Sequence, residues 1–137
     1  MLVACDLALA LGALARQARK QNIQRVVHLG TTQCRTIADT QVLSQHAFGR
    51  AIDISAFHLD NGRVVRVLQD WERGQPQPRT QPGRLLRDFA MALHRDQVFN
   101  VVLTPEYNEA HWDHFHLDLT RDRHFLSQGP ADILVGD

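Results

Sequence analysis

The sequence predicts an α+β domain with a central, mainly antiparallel sheet flanked by helices. Three observations lead there. Strand-like and helix-like stretches are interspersed, without the regular alternation expected of a parallel sheet. Asp60-Asn61-Gly62 sits between two apolar stretches and is a strong hairpin signal, which makes its strands antiparallel. The length, 137 residues, suits one hydrophobic core, and the pieces on either side of the irregular stretch 74–83 are too small to fold separately. We therefore expect a single domain over 1–137, with its core at about 5–120 and a C-terminal tail at 121–137.

Taken in order, residues 6–21 carry Leu7, Leu9, Leu11 and Leu14, with Arg16, Arg19 and Lys20 near the end. That is an amphipathic helix whose cations lie at its negative end. Residues 25–30 (RVVHLG) are short, β-branched and closed by glycine, so they predict a strand. Residues 31–43 are mostly polar and predict a loop. A second strand covers 51–59, and its hairpin partner covers 63–68. Three of the five prolines and two glycines fall within 74–83 (GQPQPRTQPG), the composition of a surface loop. Leu85, Leu86, Phe89, Ala90 and Leu93 repeat at helical spacing. Residues 98–103 predict a strand stopped by Pro105, and 114–119 a last strand, while the tail is assigned no element.

Composition narrows the partners. Apolar residues make up 44% and charged residues 22%, ordinary for a globular domain. Fifteen basic and fifteen acidic side chains cancel, which argues against general attraction to nucleic acid or anionic lipid. No apolar run approaches the roughly 20 residues that span a bilayer, and a monomer is expected. Residues 2–5 (LVAC) resemble a lipoprotein cleavage box, but there is no room before them for the hydrophobic segment, so the match is taken as coincidence. Cys5 and Cys34 form a disulfide if the protein is exported; two separate buried thiols are the alternative.

The compositional anomaly is histidine. There are eight, and three of them fall within residues 111–116. Residues 44–53 read SQHAFGRAID and residues 111–118 read HWDHFHLD. Imidazole nitrogen and carboxylate oxygen are the ligands of catalytic zinc, three from the protein with a fourth position left to water. Side chains alternate along a strand, so His114, His116 and Asp118 share one face and Phe115, Leu117 and Leu119 the other. Asp53 likewise lies opposite Ile52 and Ile54. If the two strands are neighbours, Asp53 and His116 converge, and His46 arrives from the preceding loop through a turn that Gly49 permits. Asp118 either orients an imidazole or makes a salt bridge at the rim. Trp71 and Trp112 are expected to pack in the core or at the rim. His28, His58, His94 and His124 stand alone and are taken as structural or solvated.

These residues resemble a known group. Ser44, His46, Gly49, Ala51 and Asp53 match every defined position of the SxHxxGxAxD motif of the D-Ala-D-Ala metallopeptidases, and HFH matches the HxH of the superfamily that includes lysostaphin-type peptidases and the hedgehog signalling domain. The fuller pattern, Cys34-Arg35, then residues 44–54 and 111–118, resembles the bacterial extensin-like C-terminal domain over roughly 5–119. The resemblance implies a hedgehog/D-Ala-D-Ala-peptidase-like fold and a Zn2+ ion held by His46, Asp53 and His116. It implies Asp113 as catalytic base, in a position where relatives carry the longer glutamate. It also implies that His114 assists by hydrogen bonding, and that Arg35 faces the substrate. His114 as the ligand, supported by His111, is the alternative order. Otherwise His111 supports a ligand or forms pocket wall, and Ser44 caps or orients the loop carrying His46.

The expected chemistry follows from that set. Zinc lowers the pKa of its water toward ~7, Asp113 or His114 takes the proton and returns it to the leaving amine, and Arg35 pairs with a substrate carboxylate. The function implied is a zinc peptidase cleaving peptidoglycan peptides next to D-amino acids, as carboxypeptidase or endopeptidase, in the periplasm or outside the cell. The alternative is a zinc-containing binding module without catalysis, and a metal-free domain with a histidine-rich polar network is a third reading.

Overall fold

The computed structural model describes residues 3–31 and 45–127, apart from the side chains of His46 and Ala47. Helix α1 (Cys5–Lys20) buries Leu7, Ala10, Leu14 and Ala18, spaced three and four residues apart, so one stripe faces the core. The expected leucine stripe is thus corrected at Leu9, which is 77% exposed. Cys5 lies one turn before Leu9 on the same outward face, and its thiol is exposed and free. It is neither buried nor paired, and Cys34 lies outside the described residues.

The sheet combines β1 (Ile23–Gly30), β2 (Ala51–Leu59), β3 (Val64–Arg66), β4 (Val101–Leu103), β5 (Phe115–Asp118) and β6 (Phe125–Leu126). Its order is β1-β2-β5-β4-β6, and β3 pairs with the far end of β2. The β2–β3 hairpin turns through Gly62 at φ 88°, a conformation open to glycine at no steric cost. All pairs are antiparallel except β4–β6, which is parallel. The sheet is therefore mixed. The tail was expected to carry no element, yet Phe125 and Leu126 are buried against β4. Two residues are too few for a periodic signal, so this strand exists only through its packing.

Two boundaries also move. The hairpin strand ends at Arg66, and α2 (Val67–Asp70) turns the chain away, with the Arg66 N–H donating to Asp70 Oδ2 at 2.8 Å. Strand β4 starts at Val101 rather than residue 98, although Val98 and Phe99 are buried in the core. Helix α3 (Gln81–Arg95) opens on Thr80, whose Oγ1 accepts from the Gly83 N–H at 3.1 Å, with Pro82 in the first turn.

One face of the sheet packs on α1 and α3. Phe57 meets Phe89 edge-on at 5.2 Å, and Trp71 meets Phe115 edge-on at 5.7 Å. Ile52, Ile54, Phe115 and Leu117 point into this core, as the alternation requires. Their neighbours Asp53, His116 and Asp118 are therefore turned to the opposite face. Among the described residues, no helix is long and apolar enough to cross a membrane.

Candidate functional site

Strands β2 and β5 are hydrogen-bonded neighbours, and Asp53 is the direct partner of His116 in their register. Two segments more than sixty residues apart thus deliver an imidazole and a carboxylate to one point. His116 Nδ1 lies 3.0 Å from Asp53 Oδ1. Its other nitrogen, Nε2, lies 2.7 Å from Asp118 Oδ2. Asp118 is itself fixed, because its Oδ1 accepts from the Thr120 hydroxyl at 2.7 Å and the Thr120 N–H at 2.9 Å.

Burial pushes the His116 pKa down, but hydrogen bonds and charge from Asp118 and Asp53 outweigh it and lift the value to about 9. Burial pushes the Asp118 carboxyl up, and again the His116 bond and charge, with the Thr120 donors, win and hold it below the usual range. The two shifts express the same ion pair, seen from each partner.

Sequence reasoning left Asp118 with two alternatives, and it orients the imidazole. The signal for its fixation was present in Asp118-Leu119-Thr120, where a side-chain oxygen can bind the backbone two residues on. Asn108 was missed: its Oδ1 is 2.6 Å from His111 Nδ1. The signal was local: Asn108 is the cap residue of the 3-10 turn Glu109–His111, and an asparagine side chain readily bonds groups two or three residues on.

The other predicted residues fall into three groups. His114 joins the centre: its Nε2 is 3.9 Å from Asp53 Oδ1, while its Nδ1 is 2.8 Å from Asp113 Oδ1. Asp113 is the outermost of these groups, with its side chain 58% exposed against 15% for His114. His111 lines the same place, its ring 5.1 Å from that of His114 and 6.1 Å from that of His116. His46 sits in the 3-10 turn Gln45–Phe48, closed by the Arg50 N–H donating to the Gln45 carbonyl at 3.0 Å. Gly49 follows at φ 65°, the turn that glycine was expected to permit. The His46 side chain lies outside the description, as do Arg35 and Ser44 entirely. Among the described residues no three His, Cys, Asp or Glu side chains are arranged to hold a metal ion, and the predicted set includes that undescribed imidazole.

The four remaining lone histidines are peripheral. His58 contacts Arg25, and His94 stacks on His124 at 3.8 Å between ring centroids. Trp71 is buried in the core, and Trp112, 41% exposed, packs at the surface under Arg73, within the core-or-rim expectation for the two.

A mixed sheet with helices over one face and a histidine–carboxylate centre on the other defines the class: a small α+β domain whose site lies on its two central strands. The chain belongs to the family described as the extensin-like protein C-terminus, whose model matches residues 3–127. No curated protein and no solved structure matches the chain.

Proposed function

We propose that this protein is a zinc-dependent peptidase that hydrolyses peptidoglycan peptides next to D-amino acids. On this reading its family stands with the D-Ala-D-Ala metallopeptidases, lysostaphin-type peptidases and hedgehog domain, and it works in the periplasm or outside the cell. The observation that carries the reading is the Asp53–His116 pair on adjacent strands, with Asp118 behind the imidazole.

The pair suits the metal. Two ligands of a tetrahedral zinc lie roughly 3.3 Å apart, close to the 3.0 Å between His116 Nδ1 and Asp53 Oδ1. An imidazole whose far nitrogen is held by a carboxylate is the usual arrangement for a metal-bound histidine. His46, in the 3-10 turn before β2, is the third proposed ligand. A zinc ion held there supplies Lewis acidity and an acidic water.

The chain's own residues divide the remaining work. His114 takes the proton from the attacking water through Nε2, the nitrogen that faces Asp53. Asp113 holds the opposite nitrogen, so it fixes the ring and steadies the positive charge that develops on it. His114 then returns that proton to the departing amine. This assigns the base role to His114 and an orienting role to Asp113, whose carboxylate is the shorter and more exposed group. Arg35, in the substrate-facing position of the resemblance, pairs with a substrate carboxylate.

The test is direct. Protein loaded with zinc should release D-alanine or split cross-links from peptidoglycan fragments, and His116→Ala should lose the metal while keeping its circular dichroism spectrum. Full zinc stoichiometry in that variant would defeat the assignment. Stoichiometric zinc with no cleavage of any fragment would favour the second reading, a zinc-containing binding module. That reading draws support from Asp113 being engaged with His114.

A further inference from the structure

Beside the centre lies a charged group that the proposed mechanism does not use. Arg73 is exposed and lays its guanidinium over the Trp112 ring, 3.7 Å from the centroid. Trp112 is itself 41% exposed and stands directly between His111 and Asp113 in the chain. The stack therefore adjoins the segment that carries His111, Asp113 and His114. Among the described residues Arg73 makes no ion pair with any carboxylate, although fourteen other basic side chains compete with it for the fifteen acids.

The pair is held in place from beneath. Glu106 Oε1 accepts from the Gly74 N–H at 2.7 Å and from the Trp71 indole N–H at 3.1 Å. The same oxygen pairs with Arg87 at 3.3 Å, and both of those side chains are buried. Arg87 in turn lies 4.5 Å over the Trp71 ring. The residues on both sides of Arg73 are thus pinned to one buried carboxylate. Glu106 also belongs to the turn that delivers Tyr107, Asn108 and His111 to the site. One anchor fixes the Arg73 segment relative to the histidines.

An aromatic ring beneath a guanidinium holds its plane and removes water from one face. The in-plane N–H groups remain directed outward, in the fork that accepts a carboxylate through two parallel hydrogen bonds. Preorganisation of this kind lowers the entropy lost on binding. We infer that Arg73, seated on Trp112, is a carboxylate-recognition site adjoining that segment, specific for peptides bearing a free carboxylate near the reacting bond. The inference rests on the peptidase reading only for its choice of peptide; the site itself stands on the Arg73–Trp112 geometry.

Binding is measured separately from cleavage. Diacetyl-L-lysyl-D-alanyl-D-alanine and its C-terminal amide are titrated into the full chain by calorimetry, with chelator present so that nothing is hydrolysed. A second pair, N-acetyl-D-glutamyl-D-alanine amide and its D-glutaminyl counterpart, distinguishes a side-chain carboxylate from a terminal one. In one of the two pairs the acid should bind about tenfold tighter than the amide, as a charged hydrogen-bonded contact at a partly exposed site implies. In an Arg35→Gln background, which removes the other arginine assigned to a substrate carboxylate, Arg73→Gln should abolish that preference, Arg73→Lys should restore only part of it, and Trp112→Leu should weaken it, with melting temperatures unchanged. Equal preference with and without Arg73→Gln in that background, or none in wild type for either pair, overturns the inference. Cleavage of fragments without any carboxylate preference would leave the peptidase and remove Arg73. Preference without cleavage or zinc would do the reverse.

Discussion

His116 reaches Asp53 across paired strands, Nδ1 to Oδ1 at 3.0 Å, while Asp118 on its own strand takes the ring's other nitrogen at 2.7 Å. Residues 116 and 118 are two apart in a strand, so they share a face, and only the β2–β5 register brings the third member opposite. The imidazole is therefore fixed from both ends before any ligand arrives.

That arrangement makes Asp118→Asn informative. The amide keeps the shape but no longer stabilises the imidazole electrostatically. Zinc affinity should fall by roughly 10- to 100-fold, with one equivalent still bound at saturation. A competitive chelator titration measures it, and an unchanged constant would exclude an orienting role for Asp118.

His114→Ala and Asp113→Asn separate the two candidate bases. Loss of the proton carrier should reduce kcat for fragment hydrolysis by about 10²–10⁴. Asp113→Asn should cost markedly less, because Asn still accepts a hydrogen bond from Nδ1. The reverse ranking would return the base role to Asp113.

Phe115 is fully buried beneath the site and touches Trp71 and Phe57. Phe115→Ala should destabilise the fold by about 3–5 kcal/mol through lost burial and an unfilled cavity. Urea unfolding reads it directly. A cost below ~1 kcal/mol would mean that the sheet face carrying the site does not rest on this ring.

The pH dependence of stability should report His94. Burial first, then the positive charge of His124 stacked on it, holds its pKa below the ordinary 6.5. Its Nε2 is buried and makes no hydrogen bond. Because the folded value is depressed, the neutral ring contributes its full stability above pH 6.5, and that contribution is lost as pH falls through the folded-state pKa. Wild type should therefore lose urea resistance more steeply than His94→Gln as pH falls below 6.5. Parallel slopes would show that other groups dominate the acid limb.

The strand-forming stretches were legible because burial on one face imposes a period of two. Ile52, Ile54, Phe115 and Leu117 announce the core side, and the polar residues between them announce the other. The alternation placed Asp53 with the site before any partner was known. Leucine spacing with cations at one end likewise marked α1, and Asp60-Asn61-Gly62 marked the hairpin. Leu9 and β6 were misjudged for the same reason: a single leucine or two buried residues are too short to express a period.

What the sequence determined by itself was the chemistry on offer: the residue types, their spacing within each motif, and the face each would occupy. Tertiary structure alone decided which residues meet. Register between β2 and β5 set Asp53 opposite His116, and a buried Glu106 carried the Arg73 segment to Trp112. Local periodicity reflects side-chain geometry within one element. Pairing between elements depends on core packing and loop closure, which no short stretch of chain contains.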